Sequence, residues 1–271
     1  MNAMLSALTG KRIVVTRAAG QADELDVLLR SRGAEPLAYP CIAIAPPEDT
    51  GPLDAAVRDL AAGRFDWLVL TSQNAVTALA ERLKALALLP PQSGGRWPVA
   101  LAAVGAATAR AAVNELGLTA DLVPDEFVAE ALATALIARL RPGDRVLLCQ
   151  ADIARPVLAD VLRAAGIALT SVIAYRTMIG SGGVNLPVLL AAHQVDALTF
   201  TSASAVRNLL QRLQDDGGRL ADLADVPIAC LGPVAAAAAQ KLGLMVHILP
   251  GEPTIPALVA ALEAYFGKQN R

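Results

Sequence analysis

The feature that most constrains this chain is an internal repeat. Asp66, Thr71, Ser72, Ala75, Val76 and Leu83 recur 130 residues later as Asp196, Thr201, Ser202, Ala205, Val206 and Leu213. Gly105 returns as Gly232, and "LGL" at 116–118 returns at 242–244. Pro124, Leu132 and Leu136 return 126 residues on as Pro250, Leu258 and Leu262. Arg12 and Gly33 match Arg145 and Gly166, 133 apart. An ordered set of matches of this kind reads as a duplication, with two similar units of roughly 130 residues.

Each unit alternates a short apolar run, a turn and an amphipathic stretch. "KRIVVTR" (11–17) leads to a helical pattern over 22–34, and "FDWLVLTS" (65–72) to "NAVTALAERLKAL". "PVALAAVG", "DRVLLCQ", "VDALTFTS" and "VPIACLG" each lead to a further helix. Runs apolar nearly throughout suit parallel strands covered on both faces. Gly33, Gly117, Gly166 and Gly243 fit the positive-φ position that closes a helix. The expectation is an α/β fold with two similar parallel-sheet domains. The stretches 34–49 and 167–180 read as strands leaving one domain for the other, a two-stranded linker with a cleft between the domains. The residues leave open whether the first unit is contiguous or exchanges its first strand.

Composition excludes several classes. Of 271 residues 55% are hydrophobic and 18% charged, so the chain builds cores. The longest apolar runs are too short to span a bilayer, and the start, 1–12, has no signal-peptide pattern. Net charge is −2 and aromatics are 3%, which offers nucleic acid neither a basic stripe nor a stacking platform. Cys41, Cys149 and Cys230 sit in apolar runs, as reduced core thiols of a cytoplasmic protein do. Two histidines without metal spacing argue against a metal site.

In an open parallel sheet ligands bind beyond the carboxyl ends of the strands. "TSQNAV" and "TSASAV" lie at such ends, so Ser72, Gln73, Asn74, Ser202, Ala203 and Ser204 are candidate binding residues. Ser72 and Ser202, or Asn74 and Ser204, are good helix caps, and capping alone would account for either copy. The amides freed at a helix start also bind anions. Gly105 and Thr108 in "VGAAT", and Gly232 in "LGPVA", mark two more such turns. Neither dinucleotide nor phosphate-loop fingerprints occur. Asp66 and Asp196 precede strands, at the wrong end for such a site, and read as structural. Arg17 and Arg155 are candidate carboxylate partners. Tyr175, in "VIAYRT", is the candidate for chemistry, against a packing role in the linker.

"RIVVTR", "LTSQNAV", "AAVGAATA", "ARPVLADVLRAAG", "VIAYRT", "FTSASAV", "CLGPVAAAAAQKLGL" and "EPTIPALVAAL" come in the order found in uroporphyrinogen-III synthases, and the chain resembles that family from about residue 11 to 266. The resemblance implies a cofactor-free lyase that closes hydroxymethylbilane to uroporphyrinogen III, inverting the last pyrrole ring with loss of water. The expectation is a cytoplasmic monomer acting on a small molecule, with no nucleic-acid or membrane partner. The resemblance also implies a first domain of 8–40 plus 178–267, a second of 44–174, and linker strands 41–43 and 175–177. Tyr175 matches the tyrosine to which proton donation to the departing water is ascribed; a phenol can donate at neutral pH. Two departures stand out. Gln150-Ala151 replace an Arg-Gly pair, and Val234 and Ala235 replace two threonines. A non-catalytic two-lobed binding protein is the alternative; a flavodoxin-like regulator fits less well, since no acidic pocket follows the first strand.

Overall fold

The computed structural model describes residues 6–18, 20, 23–88 and 98–269. Ala22, where the sequence pattern opens its first helix, and Met1–Leu5 of the N-terminal stretch lie outside the described residues. The chain divides into two compact units, 1–43 with 178–271 and 44–177.

In the first unit β1 (Arg12–Val15), α1 (Asp23–Ser31) and β2 (Glu35–Ala38) come from the front of the chain. The remainder comes from its end: α7 (Leu186–Ala191), β8 (Ala197–Phe200), α8 (Ala203–Asp215), β9 (Ile228–Cys230), α9 (Pro233–Lys241), β10 (Val246–Ile248) and α10 (Ile255–Gln269). The sheet order is β10-β9-β8-β1-β2, with every pair parallel. The second unit holds α2 (Gly51–Ala61), β4 (Trp67–Leu70), α3 (Gln73–Ala85), β5 (Ala100–Ala103), α4 (Ala106–Leu116), α5 (Ala129–Ile137), β6 (Arg145–Ala151), α6 (Val157–Ala164) and all but the last two residues of β7 (Ala168–Ile179). β3 (Ile42–Ala45) joins its edge, giving β3-β7-β6-β4-β5.

The duplication reaches down to register. β1 pairs β8 with Ile13 opposite Ala197, and β6 pairs β4 with Val146 opposite Trp67. These are the same two positions once the 133- and 130-residue offsets are applied. The two aspartates do the same work in both units. Asp196 accepts from the Arg12 backbone N–H at 2.8 Å, and Asp66 from the Arg145 N–H at 2.8 Å. Each carboxylate thus satisfies the leading amide of the neighbouring strand, a structural task at the end of the sheet away from the site. The copies diverge at one edge: β10 is a strand in the first unit, whereas its counterpart in the second is the isolated bridge Ala102–Leu122.

Side chains alternate across the sheet, as a period of two requires. In the second unit Leu68, Leu70, Leu147 and Cys149 meet α2, α3 and α4, while Val69, Val146 and Leu148 meet α5 and α6. In the first unit Ile13, Val15 and Ala197 pack on Leu25, Leu29, Leu258 and Phe266 of α1 and α10. Gly33, Gly117, Gly166 and Gly243 all have positive φ.

Within the first unit two chain passages run side by side, around residues 38–42 and 178–184. Arg212, buried in the last turn of α8, donates to the carbonyls of Pro40 and Gly182 and stacks 3.8 Å from the Tyr39 ring centroid. Tyr39 Oη donates to Asp216 at 2.7 Å. A buried guanidinium with carbonyl acceptors, an aromatic face and a carboxylate at 3.6 Å is fully engaged.

Candidate functional site

Each sheet reverses its winding at one place. From β1 the chain proceeds to β2, whereas β9 and β10 follow β8 on the other side, so the crevice opens between the ends of β1 and β8. In the second unit it opens between β6 and β4. Arg17 and Ser202 emerge at the first crevice; Gln150, Ala151 and Ser72 emerge at the second.

Ser72 and Ser202 are the caps their sequences announce. Ser72 Oγ accepts from the Ala75 N–H and Ser202 Oγ from the Ala205 N–H, both at 3.1 Å, with both serines extended. One orphan amide per helix is thereby satisfied and others at the helix start remain. Gln73 is exposed, and Asn74, Ala203 and Ser204 are half-buried. Ser204 Oγ accepts from Arg207 at 3.0 Å. Gly105 and Gly232 cap α4 and α9 with extended backbones and no side-chain bond. Since α3 packs along α4 and α8 along α9, each unit presents its helix starts in adjacent pairs.

Tyr175 is placed where sequence spacing alone did not put it. β7 pairs with β6 so that Tyr175 lies opposite Ala151, after a register shift at Gln150/Ala151. Its ring is 7% exposed and belongs to the core that includes Leu70, Ala75 and Cys149. Its Oη lies 3.0 Å from Ser72 Oγ. β6 lies between their strands, so the phenol passes the small Ala151 to reach the start of α3. Ala151 keeps the side chain small where the tyrosine crosses, and Gln150 turns to Ser171 on β7, 3.4 Å away.

The other candidates divide. Thr108 is 4% exposed and faces the core, which leaves little of its side chain to a ligand. Gly105 carries the Phe127 ring, 3.1 Å from where a Cβ would stand, and that ring is 56% exposed. A lone aromatic in the acidic stretch "PDEFVAE" was the signal for it in the sequence. Arg155 is bound through both guanidinium arms to Glu130, at 2.6 and 3.0 Å, with both side chains largely exposed. Each holds the other in its charged form: their hydrogen bond raises the pKa of Arg155 and lowers that of Glu130. An exposed pair holds only loosely, so a competing carboxylate can replace Glu130. Arg17 is half-buried; desolvation lowers its pKa, and the Glu24 carboxylate opposes that shift. Position 17 corresponds to Gln150 in the second unit, so only one of the two crevices has a cation at this point.

Among the described residues no group of three or more His, Cys, Asp and Glu is placed to hold a metal, and no helix is long and apolar enough to cross a membrane. His247 Nδ1 instead accepts from the Ile228 N–H at 3.2 Å.

Residues 23–260 match the family model described as uroporphyrinogen-III synthase HemD. The uroporphyrinogen-III synthase of Synechococcus elongatus is 34% identical, over 95% of this chain and 96% of its own. The crystal structure of a mutant uroporphyrinogen III synthase from the extremely thermophilic bacterium Thermus thermophilus superposes with a TM-score of 0.61 at 23% identity, covering 96% of this chain and all of that one (100%). Uroporphyrinogen-III synthetase from Helicobacter pylori gives 0.57 at 14% identity, over 94% and 99%. At those identities the two structures speak for the fold.

Proposed function

The chain belongs to the uroporphyrinogen-III synthase family, and we propose that it closes hydroxymethylbilane to uroporphyrinogen III by holding the substrate at paired helix starts while Tyr175 and Ser72 assist departure of water. The single observation that carries the site assignment is the 3.0 Å contact between Ser72 Oγ and Tyr175 Oη at the sheet's crevice.

The substrate is a linear tetrapyrrole bearing eight carboxylates. The protein meets it with a net charge of −2, so bulk positive charge is not the means of binding. Four helix starts, at Ser72, Gly105, Ser202 and Gly232, offer backbone amides instead, each favoured for an anion by the helix dipole. Arg17 and Arg155 add localised cations. Side-chain substitution leaves such amides in place, so the start of α9 keeps its backbone donors with Val234 and Ala235 there.

The reaction begins as the terminal C–O bond breaks. The oxygen leaves as water, taking one proton, and the pyrrole system keeps the positive charge. Ser72 Oγ already accepts from Ala75; when it donates its own hydrogen across the 3.0 Å contact to Tyr175 Oη, the phenol hydrogen is left free for the substrate. Tyr175 then supplies the proton. The freed terminal methylene bonds to the substituted carbon of the last ring, giving a spiro intermediate; the bond from that carbon to its original bridge then breaks, returning the positive charge to the neighbouring pyrrole, and the bridge re-bonds at the ring's free carbon, which leaves the ring inverted. The ring proton released as aromaticity returns restores the phenol. Positioning does most of this work, since the cation forms readily and the alternative closure differs only in which carbon is presented.

The reading carries with it a cytoplasmic monomer acting on a small molecule. Burial pushes the thiols of Cys41 and Cys149 up to about 12 and that of Cys230 up to about 11, which supports reduced structural cysteines. The test is to mix the protein with freshly made hydroxymethylbilane and resolve the isomers. Type III product is expected; type I alone, the spontaneous outcome, would sink the proposal and favour a non-catalytic binder.

A further inference from the structure

Along α8 and α9 of the first unit runs a groove of about 620 Å³, within the range of small-molecule sites. Ala203 and Arg207, one turn apart, come from α8; Val234, Ala237, Ala238 and Lys241, on one face, come from α9. The lining includes two cations and no carboxylate. Its floor is apolar, and Val234 is 67% exposed there, which is costly for a valine with nothing to cover it. At one end the groove meets Ala203 and Pro233, the first residues of the two helices, so it continues from the capped helix starts.

We propose that this groove seats one carboxylate-bearing pyrrole ring of the tetrapyrrole, with the ring on Val234, Ala237 and Ala238 and its carboxylates on Arg207 and Lys241. The inference rests on the function proposed above and extends that site beyond the helix starts. The match is one of chemistry: a flat apolar ring with anionic arms against an apolar floor with cationic rims. Arg207 and Lys241 have stems long enough to follow the floor while their charged heads reach outward. Arg207 spends one nitrogen on Ser204 at 3.0 Å and its side chain is otherwise exposed. Ala235 is 4% exposed and faces the core, whereas Val234 lies in the groove, where a methyl surface suits a pyrrole better than a hydroxyl does.

The test compares wild type with Arg207→Gln/Lys241→Gln and with Val234→Asp, all exposed positions, after thermal melts establish that each is folded. Steady-state cyclisation of freshly made hydroxymethylbilane is followed with isomer analysis. The double variant is expected to raise KM about tenfold, the worth of two solvent-exposed charge contacts, with kcat within about twofold and the type III share unchanged. Val234→Asp, which sets a carboxylate against the substrate's own, is expected to raise KM at least as much. KM unchanged in both variants while the wild type still makes type III would overturn the groove alone. A wild type that makes only type I would overturn the function itself, so the two failures are distinct.

Discussion

Ser72 Oγ and Tyr175 Oη lie 3.0 Å apart, although 103 residues separate them and β6 lies between β7, which carries Tyr175, and β4, which ends just before Ser72. The contact ties a helix cap to the candidate proton donor. Tyr175→Phe is expected to lower kcat about tenfold or more, somewhat below the usual reach of general-acid effects, and to leave the melting temperature near wild type. Ser72→Ala should lower kcat too and cost about 1 kcal/mol of stability through the lost cap. If the pair acts as a unit, the double variant is no slower than Tyr175→Phe. Ser202→Ala, with the same cap in the other unit, should cost similar stability but raise KM and spare kcat. A kcat equal to wild type in Tyr175→Phe, Ser72→Ala and the double variant would remove the pair from the mechanism.

Asp54 on α2 and Arg82 on α3 join through two 2.7 Å bonds. These bonds, before the Coulomb attraction, lower the Asp54 pKa. A carboxylate whose folded pKa is depressed adds stability that is fully present above its unfolded value, about 3.9, and is lost as pH falls through the folded one. Asp54→Asn should therefore cost about 1–2 kcal/mol near pH 7, with the gap to wild type closing below about pH 4. Thermal melts across that range decide it; a gap independent of pH would refute the assignment.

Burial disfavours the thiolate at all three cysteines, with Cys41 and Cys149 pushed to about 12. Thiolates are the reactive species. The native protein is expected to consume almost no Ellman's reagent at mildly alkaline pH, and three equivalents once unfolded. Rapid labelling of the native protein would contradict both the burial and the pKa direction.

Gly182 and Gly183 both have positive φ, 76° and 81°. A Cβ at Gly183 would stand 2.0 Å from the Ala38 carbonyl oxygen, whereas one at Gly182 meets nothing within 4 Å. Gly182→Ala should thus cost only the backbone penalty of about 1 kcal/mol. Gly183→Ala must push two chain passages apart and should cost several-fold more, or leave the first unit unfolded. Denaturant melts of the two variants give the comparison.

Much of this was legible in the residues. The repeated Asp…Thr-Ser…Ala-Val pattern determined two like α/β units, because parallel strands, caps and core stripes each impose a local periodicity that survives in sequence. The serine caps and the structural aspartates followed from the same local rules. Tertiary structure alone decided the rest. Which strands neighbour which is a matter of long-range pairing, so the crevices at β1/β8 and β4/β6 could not be read from spacing. Tyr175 was visible as a residue, but its partner was not: the approach to Ser72 depends on β7 lying beside β6 in one register, with Ala151 small enough to let the phenol past. The α8–α9 groove, likewise, exists only because two helices from separate repeats of the strand-turn-helix pattern pack side by side with small alanines along the gap. Local propensity is written residue by residue, whereas a site is made where segments far apart in the chain converge.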